Sequence, residues 1–309
     1  MEKHGVVVKS TGSSSEVRLT EDGTIVNARV PGKFRMQGLR STNPVAVGDE
    51  VMLTQNDRGE WRVETIAERR NYLVRKSVNL SHHKHVIAAN IDQAMLVVTL
   101  EQPPTSTGFM DRFLVTCEAY RIPAIIVFNK VDVYSEESLD ELEFRATVYK
   151  NAGYEVLITS VEDRFGLEEV AERLRGNVTL LGGHSGVGKS SLINAIDPAA
   201  NLRTGDISAV HRKGQHTTTF AQMFFLPENG GAVIDSPGIK GFGLIDMDER
   251  EIGDYFPEFF ALKAECQFHN CTHRNEPKCA VLAALENHEL AFTRYESYLS
   301  MLENDENYR

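Results

Sequence analysis

Gly183, Gly186, Gly188, Lys189 and Ser190 fall in the pattern G-x-x-x-x-G-K-[ST], a spacing suited to wrapping a phosphate chain. Glycines let successive backbone N–H groups turn inward on phosphate oxygens. A helix starting at the loop's end adds partial positive charge. His184, Ser185 and Val187 fill the loop, and Ser191 follows it in the same cradle. Lys189 is placed to bridge the β- and γ-phosphates, and the Ser190 hydroxyl to ligate Mg²⁺. The pattern also fits plain glycine-rich turns. Here, however, a strand-like segment, 178–181, precedes it and a helix-like segment, 191–196, follows.

Asn129-Lys130-Val131-Asp132 supplies the choice of base. A carboxylate at Asp132 can accept hydrogen bonds from guanine N1–H and the 2-amino group. Adenine lacks both donors and would leave the carboxylate desolvated, a mismatch worth factors of ~10⁴. Asn129 would brace the loop and touch the purine, and the Lys130 stem would cover the ring. Thr159-Ser160, at the end of the next strand-like segment, offers a backbone N–H to guanine O6. The ligand implied is GTP or GDP. An ATP-dependent kinase on the same loop is disfavoured by Asn129 and Asp132.

Asp235-Ser236-Pro237-Gly238 follows an apolar segment, so Asp235 can hold a Mg²⁺-bound water and the Gly238 N–H can meet the γ-phosphate. Between the two phosphate elements lies Gly214-Gln215-His216-Thr217-Thr218-Thr219. One threonine there, Thr218, is expected on Mg²⁺. Many GTPases carry a water-orienting Gln directly after the Asp-x-x-Gly glycine; here it is Ile239. His216 is the nearest substitute for that catalytic role, although a switch histidine could equally contact a partner or nothing. Some such enzymes hold K⁺ on a phosphate-loop Asn, and Gly186 at that position argues against it.

Cys266, Cys271, His273 and Cys279 form C-x4-C-x-H-x5-C. Three thiolates and one imidazole match a closed structural Zn²⁺ site, whereas a catalytic zinc keeps an open position. His269 is a competing ligand. The fourth cysteine, Cys117, reads as a small core residue.

These residues need three kinds of scaffold. Residues 1–67 read as about five short strands broken by Asp22-Gly23, Pro31-Gly32, Gly48-Asp49 and Arg58-Gly59, which suits an OB-fold barrel. Residues 68–90 read as a basic linker that is either a solvated tether or a contact for RNA phosphates. Residues 91–247 alternate strand and helix: strands at 94–100, 124–128, 155–159 and 178–181, helices at 109–120, 139–150 and 167–174. That alternation predicts a mainly parallel sheet with helices on both faces. Residues 248–309 read as a small helical metal-binding domain, with a long helix after the cysteines.

Residues 1–90 carry 14 Lys/Arg against 10 Asp/Glu, and the rest of the chain 19 against 34, so a polyanion would be met by the front. No apolar run is long enough to span a bilayer, and the first residues lack a signal-peptide core, so a cytoplasmic protein is expected.

The base motif thus precedes the phosphate loop, the reverse of the usual GTPase order. With a barrel ahead and a Cys/His cluster behind, the chain resembles the circularly permuted GTPases of small-ribosomal-subunit maturation, the RsgA (YjeQ) family. The resemblance covers essentially the whole chain. It implies a monomeric hydrolase of low intrinsic activity, with the small ribosomal subunit and its rRNA as partners. It also implies stimulation by that subunit, late action near the decoding region, and zinc on the same four residues. An rRNA-binding adaptor that holds GTP only as a structural or switch ligand is the competing expectation, kept alive by Ile239.

Overall fold

The computed structural model describes residues 2–11, 13–35, 44–76, 84–202, 221–235 and 248–303. In chain order the strands are β1 (Glu2–Ser10), β2 (Ser14–Leu19), β3 (Ile25–Arg29), β4 (Glu50–Gln55), β5 (Trp61–Ile66), β6 (Tyr72–Lys76) and β7 (Lys84–Ala89). They continue with β8 (Gln93–Val98), β9 (Ala124–Asn129), β10 (Glu155–Thr159), β11 (Val178–Gly182), β12 (Gln222–Phe225) and β13 (Ala232–Asp235). The α-helices are α1 (Thr107–Ala119), α2 (Glu136–Asn151), α3 (Leu167–Leu174), α4 (Lys189–Ile196), α5 (Pro257–Leu262), α6 (Ala280–Glu286) and α7 (Phe292–Leu302). Two compact units interleave along the sequence: Met1–Ala94, Glu168–Gly182 and Lys189–Gly241 form one, and Met95–Leu167, Gly183–Gly188 and Phe242–Arg309 the other.

In the first unit β1 pairs with β2, β2 with β3, β3 with β5, β5 with β4, and β4 back with β1. The ring closes, giving the five-stranded OB-like barrel expected from the turn spacing. Val7, Val17, Ala28, Leu53 and Val63 point inward and are completely buried. β1 serves two neighbours along one edge. Residues 2–6 pair with β4, and Lys9 pairs with Gln222 of β12 beyond an irregularity between Val7 and Lys9. β12 runs antiparallel to β13, and β13 runs parallel to β11.

The stretch expected to be a tether instead carries an antiparallel pair, β6 with β7. Leu73, Val74, Val86 and Ala88 are buried there, and the surrounding basic residues hid that alternation. Arg69, read as a possible phosphate contact, makes two 2.7 Å bonds to the fully buried Asp49. Arg70 donates to Asp92 at 2.8 Å. These cations hold the fold together, which is why they sit where a linker was expected.

In the second unit the strand order is β10-β9-β8, and β9 and β10 run parallel with Thr159 opposite Asn129. Strands of this kind are apolar throughout because helices cover both faces. Ser106 caps α1 and Ser135 caps α2, each hydroxyl accepting from a backbone N–H in the first turn. The tail buries Ile252, Phe256, Phe259, Tyr298 and Met301 together with Cys271, Cys279 and Val115 of α1. The single long helix expected after the cysteines is broken into α6 and α7. His288 takes φ 60°, and its N–H turns back to the Leu285 carbonyl at 3.1 Å, so the first helix ends there. Among the described residues no helix is long and apolar enough to cross a membrane.

Candidate nucleotide site and metal cluster

The apolar strand β11 ends at Gly182, helix α4 begins at Lys189, and residues 183–188 turn between them. Gly183 and Gly188 have φ of 127° and 94°, and neither has room for a side chain. A Cβ on Gly183 would stand 2.1 Å from the Val97 carbonyl oxygen, and one on Gly188 would stand 2.5 Å from Asn129 Nδ2. The second clash shows how tightly the loop is pressed against the base motif.

Asn129, at the end of β9, is buried. Its Nδ2 donates to the Val187 carbonyl at 2.8 Å, and its Oδ1 accepts from Thr159 Oγ1 at 2.9 Å. Both ends of the amide are thus engaged, one on the phosphate loop and the other on β10. Lys130 adopts a left-handed conformation, φ 64°, and its Nζ donates to the Gln102 carbonyl at 2.9 Å. Its Cε lies 3.6 Å from the Cβ position of Gly188, so the stem runs beside the phosphate loop. Asp132 sits exposed in a single 3-10 turn, Val131–Val133. Base motif and phosphate loop are thus one site, although more than fifty residues separate them in the chain.

Ser160 does not fill the role expected of it. It is buried, and its backbone N–H already donates to the Phe165 carbonyl at 3.1 Å. The hydroxyl accepts from the Asp163 N–H at 3.0 Å, which completes a tight turn. An amide committed to that turn is not available to a purine. Within the phosphate loop, His184 lies against Phe109 of α1 with ring centroids 4.0 Å apart.

Lys189 and Ser190 open α4 and are both buried, while Ser191 is exposed. Asp235 closes β13 in register with Leu181 of β11. Burial pushes the Asp235 carboxyl up to about 6, against the opposing pull of the Lys189 charge. A hydroxyl and a half-buried carboxylate are hard oxygen donors of the kind Mg²⁺ takes, so the donor set fits that ion. His216, Thr218 and Gly238 lie outside the described residues, as does Ile239.

In the tail, ligand atoms of Cys266, Cys271, His273 and Cys279 all lie within 4.8 Å of one another. His273 Nδ1 is 3.7 Å from Cys266 Sγ and 3.4 Å from Cys279 Sγ, and the two sulfurs are 4.0 Å apart. Tetrahedral Zn²⁺ with bonds of ~2.3 Å to sulfur and ~2.0 Å to nitrogen needs ligand separations of about 3.5–3.8 Å. The cluster therefore fits zinc. His269 is exposed and outside it. Glu276 knits the loop, accepting from the Thr272 N–H and hydroxyl at 2.6 Å each and from the Arg274 N–H at 2.8 Å. Burial would raise its carboxyl, but the Thr272 and Arg274 hydrogen bonds bring it to about 2. Tyr295 donates to the His273 carbonyl at 2.9 Å, and Tyr298 to that of Thr272.

A sequence model of the RsgA GTPase family matches residues 66–245. A protein of Christiangramia forsetii named "Small ribosomal subunit biogenesis GTPase RsgA" is 54% identical over 309 residues, 99% of this chain and 98% of its own. The crystal structure of YjeQ from Thermotoga maritima superposes with a TM-score of 0.79 at 35% identity, covering 98% of each chain. YloQ, described as a circularly permuted GTPase, gives 0.72 at 30% identity over 100% of this chain and 96% of its own. The chain belongs to the RsgA GTPase family. The RsgA match spans the base motif, the phosphate loop and Asp235, and stops before the cysteines, whereas the full-length RsgA relative spans the cluster as well.

Proximity of this kind was missed in the sequence for Tyr134 and Gln102, which shape the site without belonging to any motif. Tyr134, two residues after Asp132, had the one available signal: a polar-tipped aromatic directly behind a functional loop.

Proposed function

We propose that the chain is a GTP hydrolase acting in the late maturation of the small ribosomal subunit, with turnover raised by that subunit. The observation that carries this reading is the Asn129–Val187 hydrogen bond, which joins a guanine-reading turn to a phosphate cradle. In this reading Asp132 selects guanine, and the stem of Lys130 covers the ring. The N–H groups of residues 183–191 and the Lys189 ammonium hold the phosphates. Ser190 and Asp235 hold Mg²⁺ and its water shell, with Thr218 and Gly238 responding to the γ-phosphate. Mg²⁺ would supply charge neutralisation at the transferring phosphate. His216 is the candidate for orienting water. The O6 contact passes from Ser160 to the next amide, Val161, because the Ser160 N–H is spent on Phe165.

The barrel at 1–67, with its basic surroundings, is assigned to rRNA, and the zinc-organised tail at 248–309 to a domain that moves on nucleotide turnover. Residues 91–247 are the catalytic domain, and 68–90 join it to the barrel. The protein works in the cytoplasm as a monomer. The rRNA-adaptor reading rests on Ile239 in place of Gln. A GTPase assay titrated with isolated small subunits separates the two. Stimulated turnover supports the hydrolase, and a flat response supports the adaptor.

A further inference from the structure

Residues 99–105 lie between β8 and α1 and belong to no motif. Yet they are tied to the guanine-reading turn at three points. Lys130 Nζ donates to the Gln102 carbonyl at 2.9 Å. Glu101 Oε1 accepts from both the N–H and the hydroxyl of Ser135 at 2.9 Å, just after the turn. The third tie is central: the Tyr134 hydroxyl accepts from the Leu100 N–H at 2.8 Å and donates to the Asn129 carbonyl at 3.0 Å. The strap is itself braced, since the Thr99 N–H and hydroxyl bond Thr105 Oγ1 and the Pro103 carbonyl. Its Pro103 Cδ sits 3.4 Å from the Cβ position of Gly186, so it also touches the phosphate loop.

We infer that Tyr134 is a positioning residue for guanine recognition, pinning the turn that presents Asp132 to the strap beneath it. The inference rests on the nucleotide assignment above and deepens it. Lys130 holds a left-handed backbone that an L-residue adopts only under constraint. The carbonyl that enters that conformation is Asn129's, and Tyr134 is the side chain that holds it. Asp132 itself is exposed, so its aim depends on the turn. Tyr134 is buried, and burial pushes its phenol up to about 12. The hydroxyl therefore remains both donor and acceptor at any working pH.

The test is Tyr134→Phe in the full chain, with binding of GDP and IDP measured by competition against a fluorescent guanine nucleotide. IDP lacks only the 2-amino group that Asp132 would accept from. The expected result is a weaker grip on GDP, with the IDP-to-GDP ratio of dissociation constants falling roughly fivefold, the cost of one lost hydrogen bond. IDP affinity falls by a smaller factor, because hypoxanthine keeps the N1–H that Asp132 accepts but lacks the second donor. An unchanged ratio overturns the inference, and so does a parallel loss for both nucleotides, the mark of general loosening. Wild-type protein that fails to prefer GDP over IDP would instead overturn the guanine assignment. Glu101→Ala cuts a second, exposed tie and serves if Tyr134→Phe does not fold. It is expected to shift the ratio in the same direction, and an unchanged ratio there counts equally against the inference.

Discussion

Arg294 Nη1 lies 2.6 Å from Asp111 Oδ1, joining the last helix of the tail to the first helix of the nucleotide-binding region. Both residues are buried. The same guanidinium makes bonds of 2.6 and 3.0 Å to Glu258, and Tyr149 donates to Asp111 Oδ1 at 2.9 Å. Phe256 stacks 4.6 Å beneath it. Burial raises the Asp111 carboxyl more than the Arg294 charge lowers it, so this carboxylate depends on its partner. α1 also carries Phe109, which rests on His184, and the residue after Arg294 is Tyr295, which holds the His273 carbonyl. One helix contact thus stands between the phosphate loop and the cysteine cluster.

Arg294→Met should destabilise the protein by about 3–5 kcal/mol, because Asp111 and Glu258 would be left buried without a countercharge. Denaturant melts give the value. Adding Asp111→Asn and Glu258→Gln should recover part of the loss. Full stability in the single variant would contradict the account of this contact.

Asp132→Asn should weaken GDP binding by two orders of magnitude or more (~10²) and admit xanthine nucleotides, whose 2-oxo group accepts where guanine's amino group donates. Competition binding with GDP and XDP measures both effects. Unaltered GDP affinity would remove the base-reading role of this carboxylate.

Lys189→Ala should abolish GTP hydrolysis while the barrel and tail stay folded. Lys189 lies at the start of a short helix and contributes charge rather than core volume. Turnover assays beside circular dichroism give the two readouts. Wild-type turnover would be incompatible with the phosphate assignment.

Removal of zinc should loosen the tail first. Purified protein is expected to carry one equivalent of zinc, lost in Cys271→Ser, and chelation should expose residues 248–303 to protease while the barrel resists. Elemental analysis and limited proteolysis test this. Chelation that left the tail as resistant as before would show that it folds without the ion.

Asp235 gives a pH dependence in nucleotide-free, Mg²⁺-free protein. Its folded value, about 6, exceeds the ordinary 3.8, so the folded state holds the proton more tightly. Stability should therefore fall as pH rises from about 4 through 6, by up to about 3 kcal/mol from this group, and change no further above that. Melts at pH 5 and 7 should show a smaller difference in Asp235→Asn than in wild type. An identical difference would place the titration elsewhere.

The sequence disclosed whatever rests on local runs and fixed spacing. β10 and α3 fall on the expected residues, and α1 and α2 differ only at their ends, because the apolar periodicity there is uninterrupted. The cysteine cluster was legible because its four ligands lie within fourteen residues. Contacts between distant segments were not legible. Arg294 and Asp111 are 183 residues apart, and an arginine in a tail helix reads as solvated until its partners are seen. The β6–β7 pair was masked by Arg69, Arg70, Arg75 and Lys76, whose charge outweighs a short apolar alternation. Ser160 shows a finer limit: a motif names a residue, but only the turn around it decides whether its amide is spent.

β1 closes the barrel with its first half and meets β12 with its far end. The N-terminal region is therefore not a detachable module. A chain trimmed of its first ninety residues would bare the flank of β12 as an unpaired ladder, an invitation to adhere edge to edge with its own copies. Any load on the barrel is therefore felt by a strand that also belongs to the sheet carrying Asp235.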